Sequence, residues 1–199
     1  MRLNEDGSER THRLMAFYSI ERDGYDFLFL DLIPRDVLRK APRDKDLEFD
    51  DVMKFSQSSR PMKDWWPELE TTLRANEDIE SPLMPDISLW ASGALVLYPR
   101  GYRLLGEWLS QYGELLPVTV MNNQETHWIF NCRAKKDADS ERSSIDCGDD
   151  LPVINFVEGV NDPAIFKTEF DNCSFLYCGE KLKAAVEEYD LAGIVFARL

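Results

Sequence analysis

The sequence predicts an α+β fold, a mainly antiparallel sheet with two or more amphipathic helices packed on it, and three observations lead there. Apolar runs of strand length flank short polar turns, an arrangement that joins neighbouring strands antiparallel. Two segments repeat apolar residues at helical spacing, Leu105, Trp108, Leu109 and Tyr112 in one and Leu182, Ala185, Val186 and Tyr189 in the other. The chain has 199 residues, enough for one domain burying about 70 % of the surface its unfolded form exposes, and residues 1–199 are read as a single unit.

The elements follow in order. "RLMAFYSI" and "YDFLFLDL" flank "ERDG", whose Asp23-Gly24 step is a hairpin signal, so two antiparallel strands are expected there. Pro34 opens a short helix over "PRDVLRK". From Ala41 to Pro85 periodicity is weak and prolines are frequent, and no element is assigned. "ALVLY" reads as a buried strand, and Pro99 suits the first turn of the helix that carries Leu105 to Tyr112 and stops at Gly113. "LLPVTVM" and "THWIFNCRA" form strands around "NNQE". Near the end, "SFLYC" is a strand, Glu180 to Tyr189 a helix and "GIVFARL" a final strand.

Charge restricts function. Thirty-seven acids against 23 bases give a net charge of −14, which argues against binding DNA, RNA or anionic lipid, since phosphate polyanions are held by a surplus of Lys and Arg. A basic protein partner is attracted instead. The acids cluster: seven stand against one base from Asp64 to Asp86, and seven against one from Asp139 to Asp162. Each cluster reads either as a solvated loop that keeps the chain soluble or as half of a docking surface.

The segment "THWIFNCRAKKDADSERS" gathers one of two histidines and one of four cysteines, yet it does not compose a catalytic pair. Strand alternation puts His127, Ile129 and Asn131 on one face and Trp128, Phe130 and Cys132 on the other, so His127 cannot serve Cys132 as a base. Cys132 is expected in the core, and Cys147, Cys173 and Cys178 are expected as reduced thiols. Asp137, Asp139 and Glu141 alternate like calcium ligands, but the Gly and Glu that complete such a loop are missing. No phosphate loop, nucleophile elbow or His-Glu-x-x-His pair occurs, so no catalytic residue, metal or cofactor is expected. No apolar run reaches membrane-span length and the amino terminus "MRLNEDGSERTHR" has no apolar core, so a cytoplasmic protein without a membrane anchor is expected.

Adjacent Trp65 and Trp66 point to opposite faces if their segment is extended, which leaves one exposed as an interface anchor; a helical turn instead tucks both against the core. Together with the acidic clusters they make the candidate binding set Trp65, Trp66, Asp78, Glu80, Asp86, Asp146, Asp149 and Asp150.

"PDISLW…GALVLYPRGYRLLGEWLSQYGELLPV", "WIFNCRAKKDADSERS" and "PAIFKTEFDNCSFLYCGEKLKAAVEEYDLAGIVF" resemble, in that order, a bacterial family of polymorphic-toxin immunity proteins, the eleventh numbered one, formerly a domain of unknown function. The resemblance covers about residues 83–197 and leaves 1–82 as a more variable amino-terminal part. Its steps fall at Pro85 to Ile87, Gly113 to Pro117, Phe130 to Asp139, Ile165 to Lys167 with an expected strand, and Leu182 to Phe196. It implies a protein that acts by binding, as a monomer or weak homo-oligomer, to a cognate secreted toxin or effector domain, a basic nuclease being one such class. It implies no catalysis and no direct contact with nucleic acid. An effector chaperone and a hydrolase using Cys132 or a carboxylate pair are the alternatives.

Overall fold

A computed structural model describes residues 16–43, 47–57, 61–91, 93–145, 153–157, 159 and 162–199. The described residues form an α+β fold with four α-helices and eleven strands in antiparallel-dominated sheets. The strands are β1 (Phe17–Arg22), β2 (Phe29–Leu30), β3 (Glu70–Thr71), β4 (Leu73–Arg74), β5 (Ile87–Leu89), β6 (Ala94–Leu97), β7 (Gly113–Val120), β8 (Glu125–Cys132), β9 (Ile165–Phe166), β10 (Tyr177–Gly179) and β11 (Ile194–Arg198). The helices are α1 (Pro34–Lys40), α2 (Phe49–Met53), α3 (Pro99–Leu109) and α4 (Glu180–Glu188).

The longest pairing is the β7–β8 hairpin, with Leu116 opposite Ile129 and Val118 opposite His127. It extends to a five-stranded sheet ordered β3-β7-β8-β6-β5, in which only the β3–β7 pair is parallel. Both faces of this sheet are covered, which is why "ALVL" is apolar without interruption. Leu95, Leu97, Phe130 and Cys132 face one core with Leu105 and Leu109 of α3, Leu182 and Val186 of α4, and Tyr18 and Ile20 of β1. Val96, Tyr98, Leu116, Val118 and Ile129 face a second core closed by Leu30, Val37, Val52, Phe55, Met62, Trp65 and Leu69. Tyr102 of α3 stacks on Trp128 of β8, ring centroids 3.5 Å apart and planes within 7°.

The second sheet is ordered β11-β1-β10-β9 and is antiparallel throughout. Its back carries a small aromatic cluster of Phe17, Phe156, Phe166 and Tyr177. The two sheets meet where the Asp86 and Ile87 amides both donate to the Ala192 carbonyl, at 2.9 and 3.1 Å. Gly193 follows with φ +109°, and a Cβ there would lie 2.2 Å from the Ile87 carbonyl oxygen, so the crossing needs a residue without a side chain.

The structure bears out α1, β6, the β7–β8 hairpin, α4 and β11 within a residue or two of expectation, and α3 from Pro99 only as far as Leu109, with Tyr112 in the turn before β7 rather than on the helix. The expected hairpin at Asp23-Gly24 is not formed. Gly24 does turn the chain, with φ +64°, but β1 pairs with β10 and β11, and β2 pairs with β4. The turn therefore passes the chain from one sheet to another, because β1 buries Tyr18 and Ile20 against α4 and β11, contacts invisible to local pattern. "SFLYC" is strand only over its last part, with Phe175 exposed, "YDFLFLDL" keeps only β2 of its expected strand, and β3, β4, β5 and α2 carry too few residues for a periodic signal. The strand expected at Ile165 to Lys167 is β9, Ile165–Phe166. β1, from the part preceding residue 83, lies between β10 and β11 from the part following it.

Candidate functional site

Among the described residues the cysteines and the histidine are all buried. Cys132 is fully buried, and burial pushes its thiol up to about 12, with the Lys167 charge opposing. Burial raises Cys178 and Cys173 in the same way. All three are free, and none supplies a thiolate at neutral pH. Cys147 and His12 lie outside the described residues. His127 projects into the second core, on the face opposite Cys132, with its ring edge-on to Tyr98 at 4.9 Å. Three further buried polar groups hold loops in place. Glu114 accepts from the Met62 and Lys63 amides, Lys167 donates to the Ser56 carbonyl at 2.7 Å, and Asp171 accepts from the Tyr177 hydroxyl at 2.6 Å. Among the described residues no three His, Cys, Asp or Glu side chains converge as metal ligands, and no helix is long and apolar enough to cross a membrane.

His127 gives a pH dependence that can be measured. Both ring nitrogens are buried without a hydrogen-bond partner among the described residues. Burial lowers its pKa from the ordinary 6.5, with the Glu125 charge opposing. The folded state thus binds the proton less readily than the unfolded one, so stability is whole above the unfolded pKa and declines as pH falls through about 6.5 towards the folded value, by at most about 1.4 kcal/mol per pH unit. Unfolding free energies at pH 7 and pH 5 should differ more for the native protein than for His127→Leu, and equal differences would show that the imidazole takes up a proton without loss of the core.

The surface offers a different kind of site. Asn76 donates from its amide to the Tyr25 carbonyl at 2.7 Å, the Leu83 amide donates to the Asp26 carbonyl at 2.8 Å, and the Leu28 amide donates to the Leu83 carbonyl at 2.9 Å. These bonds fasten the loop after β4 to the turn after β1, beside the β2–β4 pair. The two stretches so joined, fifty or more residues apart, carry Tyr25, Leu83 and Met84, exposed by 70 %, 55 % and 53 %. The same stretches carry the exposed acids Asp26, Glu77, Asp78 and Glu80, and the Arg22 guanidinium lies over the Tyr25 ring at 6.0 Å. Large exposed apolar side chains on stretches that also carry exposed acids suit a basic partner with an apolar contact.

The candidate residues separate by place. Asp78 and Glu80 are exposed in the stretch between β4 and β5. Asp86 does not serve as a free charge, because its Oδ2 accepts from Arg100 at 2.7 Å and from the Ala192 amide at 3.1 Å, clamping β5 to α3 and to the turn after α4. Trp65 and Trp66 stand at the end of a tight turn rather than in an extended segment. Trp65 is core, with its indole donating to the Pro61 carbonyl, and Trp66 is half-buried and donates to the Pro117 carbonyl at 2.8 Å. Asp146, Asp149 and Asp150 lie outside the described residues. Within their cluster, Asp139 accepts from the Glu141 amide in its own turn, and Asp162 pairs with Lys136 while only 16 % exposed. Both carboxylates are thus engaged within the chain. Sequence reasoning passed over Tyr25, Leu83 and Met84. Tyr25 reads as the first residue of the strand "YDFLFLDL", and Leu83 and Met84, in "SPLMPD", fall in the stretch to which no element is assigned.

No protein-family model matches this chain, and a search of curated proteins returns no match.

Proposed function

We propose that this chain is an immunity protein, a cytoplasmic inhibitor that binds a secreted antibacterial toxin domain with a basic surface and neutralises it by contact alone. The observation that carries the proposal is that two hydrogen-bonded stretches expose Tyr25, Leu83 and Met84 along with the acids Asp26, Glu77, Asp78 and Glu80. The net charge of −14 supports it through long-range attraction. The family resemblance of residues 83–197 supplies the partner class. In this reading the acids steer encounter with a basic nuclease, and the apolar side chains hold the complex by excluding water.

The deciding experiment co-expresses the toxin domain encoded beside this gene with and without the protein and scores growth. Rescue by the native protein and by Cys132→Ala supports inhibition by binding, whereas loss of rescue by a folded Cys132→Ala supports the hydrolase. With purified partners, Tyr25→Ala or Met84→Ala should weaken binding by about 2 kcal/mol, chiefly through faster dissociation. Charge reversal by Asp78→Lys with Glu80→Lys should slow association about tenfold at low salt, with the difference shrinking as the Debye length falls to about 8 Å. Unchanged binding by both sets would move the contact away from these stretches.

A further inference from the structure

β11 ends its sheet, and its hydrogen-bond phase can be read from its neighbours. The Leu199 amide donates to Phe17 and the Asp23 amide to Gly193, so alternate residues of β11 exchange bonds with β1, while the Ile20 amide turns the other way to Leu176. The backbone groups of Ile194, Phe196 and Arg198 consequently point away from β1, and among the described residues no strand pairs with them. Sheet edges are commonly guarded by proline, a bulge or an inward charge. "IVFAR" has none of these, and its single charge stands at the last residue.

Beside this edge lies a groove of about 360 Å³ between α4 and β11. Val186, Leu191, Ile194, Val195 and Phe196 supply its apolar lining, and Asp190, Glu187 and Lys183 supply the charges. Glu187 is paired with Lys183 one turn before it, so a partner's cation there shares or displaces that exposed pair. Both acids are exposed, and Glu188 adds a third at the end of α4. The wall is held in place before any partner arrives, because Arg100 donates to the Tyr189 carbonyl at 2.6 Å and the Asp190 carbonyl at 3.1 Å while paired with Asp86. We infer that β11 accepts an extended segment of a basic partner protein as an added antiparallel or parallel strand, with an apolar side chain of that segment in the groove and its Lys or Arg side chains against Glu187 and Asp190. Backbone pairing supplies the hold and the groove supplies selectivity. A second copy of this chain is the poorer occupant, because each copy carries a charge of −14. The inference concerns a different part of the molecule from the Tyr25 face and does not depend on the partner being a toxin.

The probe is a short, end-capped peptide alternating lysine and valine, titrated into the full chain and followed by backbone amide exchange. Protection should appear at Ile194, Phe196 and Arg198, and binding should be about tenfold tighter than that of the matching glutamate and valine peptide, the worth of two exposed ion pairs. Arg198→Pro removes one outward N–H without touching the bonds to β1 and should abolish most of the protection. Glu187→Gln with Asp190→Asn should erase the preference for lysine while leaving the unfolding midpoint in place, Asn being suited to the left-handed backbone of residue 190, φ +48°. Equal binding of the two peptides, protection confined to other strands, or self-association of the protein in place of peptide capture would each overturn the inference.

Discussion

Gly193→Ala is expected to destabilise the protein by more than about 3 kcal/mol, the sum of a backbone held at positive φ and an overpacked contact. The new Cβ would stand 2.2 Å from the Ile87 carbonyl oxygen and 2.7 Å from the Pro85 side chain. Neither atom can recede, since the Asp86 and Ile87 amides are bonded to the carbonyl of Ala192, one residue before the glycine, and Asp86 is held by Arg100. Chemical denaturation against a Gly179→Ala control reads the effect. A Cβ at Gly179 meets nothing within 4 Å, so the control should change stability by no more than about 0.5 kcal/mol. A loss at Gly193 of less than about 1 kcal/mol would mean that the junction of the two sheets yields more easily than its hydrogen bonds imply.

Glu114→Ala is expected to cost about 3 kcal/mol, because buried donors left without an acceptor bear their full desolvation penalty. The carboxylate accepts from the Met62 amide at 2.9 Å, the Lys63 amide at 3.2 Å and the Asn131 side-chain amide at 3.2 Å. It ties the turn at residues 61–66 to the central sheet, and with that turn the second core receives Met62 and Trp65. The variant should therefore show faster hydrogen exchange at the Met62 and Lys63 amides and tryptophan emission shifted to the red. Exchange at those two amides matching the native protein would show that packing of Trp65, rather than the carboxylate, holds the turn.

The candidate site was legible only in its charged half. Asp78 and Glu80 stand out in any reading of local charge, since acids in a turn-rich stretch have nowhere to go but water. Asp86 looks the same in the sequence, yet the fold encloses it with Arg100, fourteen residues away on α3. The apolar half, Tyr25 with Leu83 and Met84, exists only because β2 pairs with β4 and brings two distant turns side by side. No local rule couples those positions.

What the sequence by itself determined is the set of elements whose own chemistry closes them. Pro99 at the first turn and the spacing of Leu105 and Leu109 set α3, the polar "NNQE" sets the β7–β8 hairpin, and strand alternation assigns His127 and Cys132 to opposite faces. The overall charge of −14 needs no coordinates at all. Tertiary structure alone decided which sheet β1 joined, where Trp65 went and which edge was left open. Those choices turn on contacts between residues far apart in the chain, such as Tyr18 with Arg198, Met62 with Glu114 and Ile87 with Gly193. A strand's local pattern states that one face must be buried but not against what, so the partner is chosen by the energy of the assembled core.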